Sequence, residues 1–278
     1  MILYKYLQPV RLDVLKHRRI RFTQPGDFND PFEFRPRIRE LASDADVQAY
    51  VEDHFEQLVD EELAKYGALT QSLPLPDLRG HLLRQKATLP GLLRLLEPAA
   101  IQRLSSLIDG FLNLNVGILC LSEVRDSILM WGHYTDNHQG FVVGFDSDHP
   151  FLSKRRSDKD EFGFLRRVDY RHQRPQVTLT DTTSPVWFQT KSEHWSYEKE
   201  WRVVRVLSEA EHRIDRSPFP IYLFDFAPDA VREIIIGMRS PPSLIGEIRS
   251  LAADFPKAEV FRAREEDVDY GLVVDEIG

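Results

Sequence analysis

Cysteine is nearly missing from this sequence: Cys120 is the only one in 278 residues. Disulfides and zinc sites built on cysteines are therefore excluded. Cys120 stands within the apolar run VGILCLS, the usual setting of a buried, inert thiol. Long apolar runs are missing too. None approaches the roughly 18 residues that span a bilayer, so no membrane partner is expected. The opening MILYKYLQPVRLD has neither a basic n-region nor a long apolar h-region. With the lone cysteine, this gives the expectation of a reducing, cytoplasmic setting. Positive charge is short: the net charge is −8, so the chain does not coat nucleic acid by charge alone. The familiar catalytic signatures GxxxxGK[ST], GxGxxG, HExxH and GxSxG are all absent.

What is present is an ordinary globular composition, 42% hydrophobic and 29% charged, enough for a real core. ILYKY reads as a strand, PVRLDVLKHRRI as a helix and IRF as a second strand. From 43 to 113 the pattern is helical, with Ser43 and Asp46 resembling a capping box. Val47, Val51, Phe55, Leu58 and Leu63 form its apolar stripe. Gly67, the Pro74/Pro76 pair and Pro90-Gly91 divide this segment. Strand signals return at 116–122, 140–146, 164–170, 200–206, 220–226, 233–237 and 258–265, with YGLVVDEI as a closing edge strand. A short helix opening at Asp126 and an amphipathic helix over 241–255 complete the pattern. The expected fold is one α+β domain over 1–278, with a largely antiparallel sheet and a helical insertion at 43–113.

Three clusters mix aromatic, basic and acidic residues at strand edges. They are LYKY with FNDPFE, then DSILMWGHYTDNHQGFVVGF, then KSEHWSYEKEWRVV. Trp131, Tyr134, Trp195, Tyr197 and Trp201 suit a core, but Lys5, Asn29, Asp30, His133, Lys191, Glu198 and Glu200 beside them do not. Buried charges are costly unless paired, so such mixtures tend to line clefts. A local basic run, Lys154, Arg155, Arg156, Lys159, Arg166, Arg167, Arg171 and Arg174, reads as a solvated face or a polyanion groove. His133 and His138 have poor spacing for two metal ligands on one face.

RFTQPGDFNDPFE, MWGHYTDNHQGFVVGFD and KSEHWSYEKEWRVV together resemble the signatures of a bacterial family labelled domain of unknown function 2971. That label carries no biochemistry. The order of elements also resembles, more distantly, the ADP-ribosyltransferase fold, especially its DNA-targeting toxin-type enzymes. The second resemblance implies a split sheet, NAD as substrate, and a macromolecular acceptor, nucleic acid or protein, in toxin-like or antiviral defence. It implies Glu200 as the catalytic carboxylate, with Glu198 as the first acid of an ExE pair. In that reading the carboxylate stabilises an oxocarbenium-like centre, and Tyr134 or Trp131 stacks on nicotinamide. Lys5 or Arg21 holds the pyrophosphate; Tyr4, Asn29, Asp30, His133 and Lys191 complete the NAD site. Two departures stand against it: Tyr4-Lys5-Tyr6 where a histidine or arginine is usual, and no Ser-Thr-Ser triplet at the central strand.

Other classes fit the same residues. One is a hydrolase, either NAD-consuming or a metal-dependent nuclease using Asp30, Glu33, His133 and Glu200. Another is a non-catalytic domain that binds a nucleotide or partner. In the blandest reading the aromatic clusters are core, and Glu200 pairs with Arg202 or Lys199 on an exposed strand.

Overall fold

Alternation along β1 (Ile2–Leu7) sets the architecture. Leu3 and Leu7 enter one apolar cluster, Tyr4 and Tyr6 another, so this strand is covered on both faces. The computed structural model describes residues 1–35, 37–65, 75–155, 157, 160, 162–178 and 186–277. Gly67 and Pro74 among the expected breakers, and Arg156 and Lys159 of the basic run, lie outside the described residues.

In chain order, β1 is followed by a 3-10 turn (Pro9–Arg11), α1 (Asp13–His17) and β2 (Arg19–Phe22). β3 (Arg37–Glu40) precedes α2 (Asp44–Lys65), α3 (Leu75–Arg84) and α4 (Leu89–Asn115). β4 (Val116–Ser122), α5 (Ile128–Tyr134) and β5 (Phe141–Asp146) come next. The short elements β6 (Arg166–Arg167), β7 (Asp169–Arg171), β8 (Gln176–Thr178), α6 (Val186–Gln189) and β9 (Thr190–Ser192) lead to β10 (Glu200–Val206). The chain continues through β11 (His212–Ile214), β12 (Ile221–Asp225), β13 (Val231–Ile236), α7 (Pro242–Ala252), β14 (Glu259–Glu265) and β15 (Leu272–Glu276).

Eight strands form the main sheet in the order β15-β14-β13-β5-β1-β4-β10-β6. Its one parallel neighbour pair, β13 with β14, is the pair joined through α7, as a crossover requires. The fold is therefore α+β, with a mixed and mostly antiparallel sheet. Leu244 and Ile248 of α7 join the cluster that holds Leu3, Phe141, Phe145 and Ile234. Met130 and Trp131 of α5 join Tyr4, Tyr6, Val142 and Ile235 on the opposite face. Among the described residues no helix is long and apolar enough to cross a membrane.

By its contacts the chain divides into two compact units. The first, Met1–Arg35, Asp109–Arg174 and Pro185–Gly278, contains the main sheet. The second, Pro36–Ile108 with Pro175–Ser184, is the helical part, and its bounds differ from the expected 43–113. Its parallel pair of β3 and β8 uses a strand from far along the chain, which no local pattern announces. Its apolar cluster is built on Val51, Phe55 and Val59. Val59 takes the place expected for Leu58, which is 39% exposed, because burial advances by four residues per turn here. The Ser43 hydroxyl accepts from the Asp46 amide (3.1 Å), the N-cap half of a capping box, while the Asp46 carboxylate accepts from that hydroxyl (2.6 Å).

Two expectations need correction. The helix over 9–20 is cut to α1, since Arg18 adopts a left-handed φ of 53° and turns the chain into β2. Ile20 is thus buried by strand alternation rather than by a helical stripe. The cap of α5 is Ser127, whose side chain accepts from the Met130 amide (3.4 Å), not Asp126. Beyond α5, Asp136, Asn137 and His138 all have positive φ, and Gly140 enters β5 where a Cβ would lie 2.0 Å from the Leu7 carbonyl oxygen. Only glycine permits that approach.

Candidate functional site

The main sheet loosens at one seam. β4 pairs with β10 from Glu200 to Val206, but β1 and β4 share a single registered pair, Tyr4 with Ser122. A cavity of about 110 Å³ opens there. Tyr4, Lys5 and Tyr6 of β1 line it with Cys120, Leu121 and Ser122 of β4. Met130 and Tyr134 come from α5, and Phe28 and Asn29 from the loop after β2. Lys191 of β9 and the pair Glu198 and Glu200 complete the wall.

Behind the wall lies a buried ionic cluster. Strand alternation puts Glu200 and Arg202 on one face of β10. Arg202 Nε donates to Glu200 Oε1 (2.6 Å), and Lys191 Nζ donates to Glu200 Oε2 (2.8 Å) and Glu198 Oε2 (2.7 Å). The second oxygen of Glu198 accepts from the Tyr134 hydroxyl at 2.7 Å. Glu33 pairs with Arg202 and lies 3.5 Å from Lys191. All five charged side chains are at most 6% exposed. Burial pushes the Glu200 carboxyl up, but Arg202 and Lys191 together hold it well below the usual range. Glu33 goes the other way: burial outweighs Arg202 and Lys191 and raises its pKa to about 7. Its Oε2 is buried and has no hydrogen-bond partner among the described residues. Burial, with Glu198 beside it, also raises the Tyr134 hydroxyl.

The punctuated stretch 21–34 is the strap that joins cavity and cluster. Gln24, fully buried, donates to the Pro220 carbonyl (2.7 Å), and the Gly26 amide donates to Asn113 Oδ1 (2.6 Å). Asp30 caps its own turn by accepting from the Phe32 amide (2.9 Å). Phe34 packs on Phe28 with ring centroids 4.8 Å apart and lies 4.6 Å from the Arg202 guanidinium. The acids fix the turn and pair with the sheet, while the aromatics floor it.

Of the residues expected from sequence, Tyr4, Lys5, Asn29, Tyr134, Lys191, Glu198 and Glu200 meet at this cavity. The others do not line it. Trp131 is fully buried, its indole donating to the Arg125 carbonyl (2.8 Å), so it offers no wall for stacking. Arg21 is paired with Asp27 on β2, Asp30 is spent on its turn, and His133 is on the exposed side of α5. Lys5 Nζ donates to the Cys120 carbonyl (3.1 Å), and burial lowers its pKa, which counts against a pyrophosphate-holding role. Cys120 lines the cavity half-buried, and burial raises its thiol pKa. Glu200 pairs with Arg202, but inside the fold rather than on an exposed strand. Tyr6 and Ser122 are additional lining residues. The centring of the cluster on Arg202, with Glu33 reaching it from the strap, had one sequence signal: the i, i+2 spacing of Glu200 and Arg202 on a strand.

The basic run is largely engaged. Arg171 pairs with Asp169 (2.7 Å) and Arg167 lies 3.5 Å from Glu123. Arg155 and Arg166 lie 4.7 and 4.3 Å from the Phe164 ring.

Fold and site define an α+β protein with a buried ionic cluster opening on a small cavity. Residues 130–203 match the family model described as Protein of unknown function (DUF2971). This match supports the family resemblance, and the segment supplies Tyr134, Lys191, Glu198, Glu200 and Arg202. No curated protein and no solved structure matches the chain.

Proposed function

We propose that the cavity binds the ring-bearing end of a nucleotide, and that its chemistry is NAD-dependent transfer of ADP-ribose to a macromolecule, nucleic acid or protein. The observation that carries this reading is the meeting of Tyr134, Asn29 and the Glu198–Glu200 pair on one cavity from three separate parts of the chain. A cavity of about 110 Å³ is near the size that holds a single aromatic ring. A dinucleotide would insert one end and leave the rest outside.

Breaking the nicotinamide–ribose bond develops positive charge at the ribose, which a positioned carboxylate stabilises. Both oxygens of Glu200 are held by Arg202 and Lys191. Glu198 has given one oxygen only to a neutral tyrosine hydroxyl. Exchanging a neutral partner for a ribose hydroxyl costs less than breaking a charge-assisted bond. Glu198 is therefore the catalytic carboxylate in this reading, and Glu200 positions Lys191. The nuclease alternative needs a metal site; among the described residues no group of three His, Cys, Asp or Glu side chains is arranged as one.

The test is nicotinamide release from NAD, with and without DNA, RNA or cell lysate. Glu198→Gln should lower release by about 100-fold or more, the scale of losing one transition-state stabilising group. Acceptor-dependent release that survives this change would reassign the carboxylate. Release without acceptor means an NAD hydrolase. Saturable NAD binding without release means a binding domain, a reading favoured by the fully paired Glu200.

A further inference from the structure

We infer that Lys5 is a reactive amine, which captures an uncharged aldehyde or ketone no larger than a single ring as an imine within the cavity. The inference is independent of NAD cleavage. It begins with an asymmetry between two lysines on one wall. Lys191 contacts three carboxylates, Glu33, Glu198 and Glu200, within 3.5 Å. Lys5 has no ion pair among the described residues, and its Nζ donates only to the Cys120 carbonyl across the β1–β4 seam.

Charge balance explains why that carbonyl suffices. Glu198 and Glu200 are matched by Lys191 and Arg202. Glu33 shares those same two cations, so two positive charges face three carboxylates, while Lys5 stands apart from any ion pair among the described residues. Burial drives Lys5 and Glu33 each toward its neutral form, lowering the amine and raising the carboxyl to about 7. A desolvated lysine amine is a nucleophile toward carbonyl carbon. The lining limits the ligand: Tyr6, Phe28 and Leu121 offer apolar walls, and the neighbouring carboxylates disfavour an anion.

The chemistry closes without a redox partner. The Nζ lone pair forms a bond to the carbonyl carbon as the C–O π pair moves to oxygen. A proton passes from nitrogen to that oxygen, giving a carbinolamine. Protonation of its hydroxyl, departure of water and formation of C=N give the protonated imine, whose N–H proton returns to solvent to complete the imine. Cyanoborohydride, added as external reductant, delivers hydride to the imine carbon and fixes a secondary amine.

The experiment treats the intact protein at pH 7 with benzaldehyde and cyanoborohydride, then maps labelled positions by peptide mass spectrometry. Fragment ions must separate Lys5 from the amine of Met1, which lies in the same peptide. A free amine labels where an ammonium does not, so Lys5 should label severalfold faster than exposed lysines. Lys16 and Lys257, each 46% exposed, are the internal standards. Labelling of Lys5 no faster than these, or none at all, overturns the inference. Lys5→Arg, checked for an unchanged melting transition, should lose the fast adduct; persistence of that adduct places it elsewhere and also overturns it. The wild-type map needs no variant, so a folding failure in Lys5→Arg leaves a decision in hand.

Discussion

Arg202 is the residue on which the buried cluster turns. It is 1% exposed, and it binds Glu33 from the strap and Glu200 from its own strand, while its Nη1 donates to the Phe188 carbonyl (2.9 Å). Removing it strands two carboxylates in the interior, so Arg202→Ala should cost about 3–5 kcal/mol in urea unfolding. A cost below about 1 kcal/mol, the range of exposed pairs, would refute the pairing described. Glu33 gives a prediction with a definite sign. Its folded pKa, about 7, lies above the ordinary 4.5, so the folded state holds this proton more tightly than the unfolded chain. Its contribution to stability is complete below pH 4.5 and is lost as pH rises through 7. The stability of the wild type relative to Glu33→Gln should therefore fall across that window. A flat or rising difference in paired urea titrations would contradict the raised pKa.

At the scale of elements, the clearest prediction comes from a glycine pair. Gly140 enters β5 against the Leu7 carbonyl and accepts no Cβ, whereas Gly132, inside α5, has nothing within 4 Å of the Cβ position. Gly140→Ala should destabilise by about 3 kcal/mol or more, because the obstacle is backbone and cannot swing aside. Gly132→Ala should be neutral or stabilising by up to about 1 kcal/mol from helix propensity. Thermal melts of the two variants decide the matter, and similar losses in both would sink it. These elements also show what the sequence made legible. β4 and β10 stand at the residues expected, 116–122 and 200–206: β4 is a short apolar run closed by turn residues, and β10 carries the Trp and Val residues that favour strands. β3, β8 and β11 gave no such signal, since their pairing comes from partners elsewhere in the chain. The candidate site was legible in part. Charged residues among aromatics marked the cavity wall, but nothing local shows that Trp131 points inward or that Glu33 crosses to β10.

Across the whole molecule, the two compact units differ in what holds each together. In the first, Leu3, Val142, Val143, Phe145, Ile234 and Ile235 of β1, β5 and β13 are all fully buried between two apolar clusters. Their backbone hydrogen bonds are shielded on both faces. In the second unit the described apolar cluster rests on Val51, Phe55 and Val59, and α4 buries no residue along its length. Ion pairs such as Arg79 with Asp60 (2.7 Å) and Lys86 with Glu52 (2.9 Å) are exposed, so solvent screens them and they add little. Segments with few buried apolar contacts open with less free energy than the global transition. Native-state hydrogen exchange should therefore find α2 and α3 exchanging through local opening, at least about tenfold faster than the central amides of β1, β5 and β13, a gap of about 1.4 kcal/mol. The central strands should exchange only with global unfolding, and their opening energy should match that from urea titration. Equal protection in α2 and the central strands would mean the helical unit shares the cooperativity of the sheet, and that its small core is not the limit on its stability.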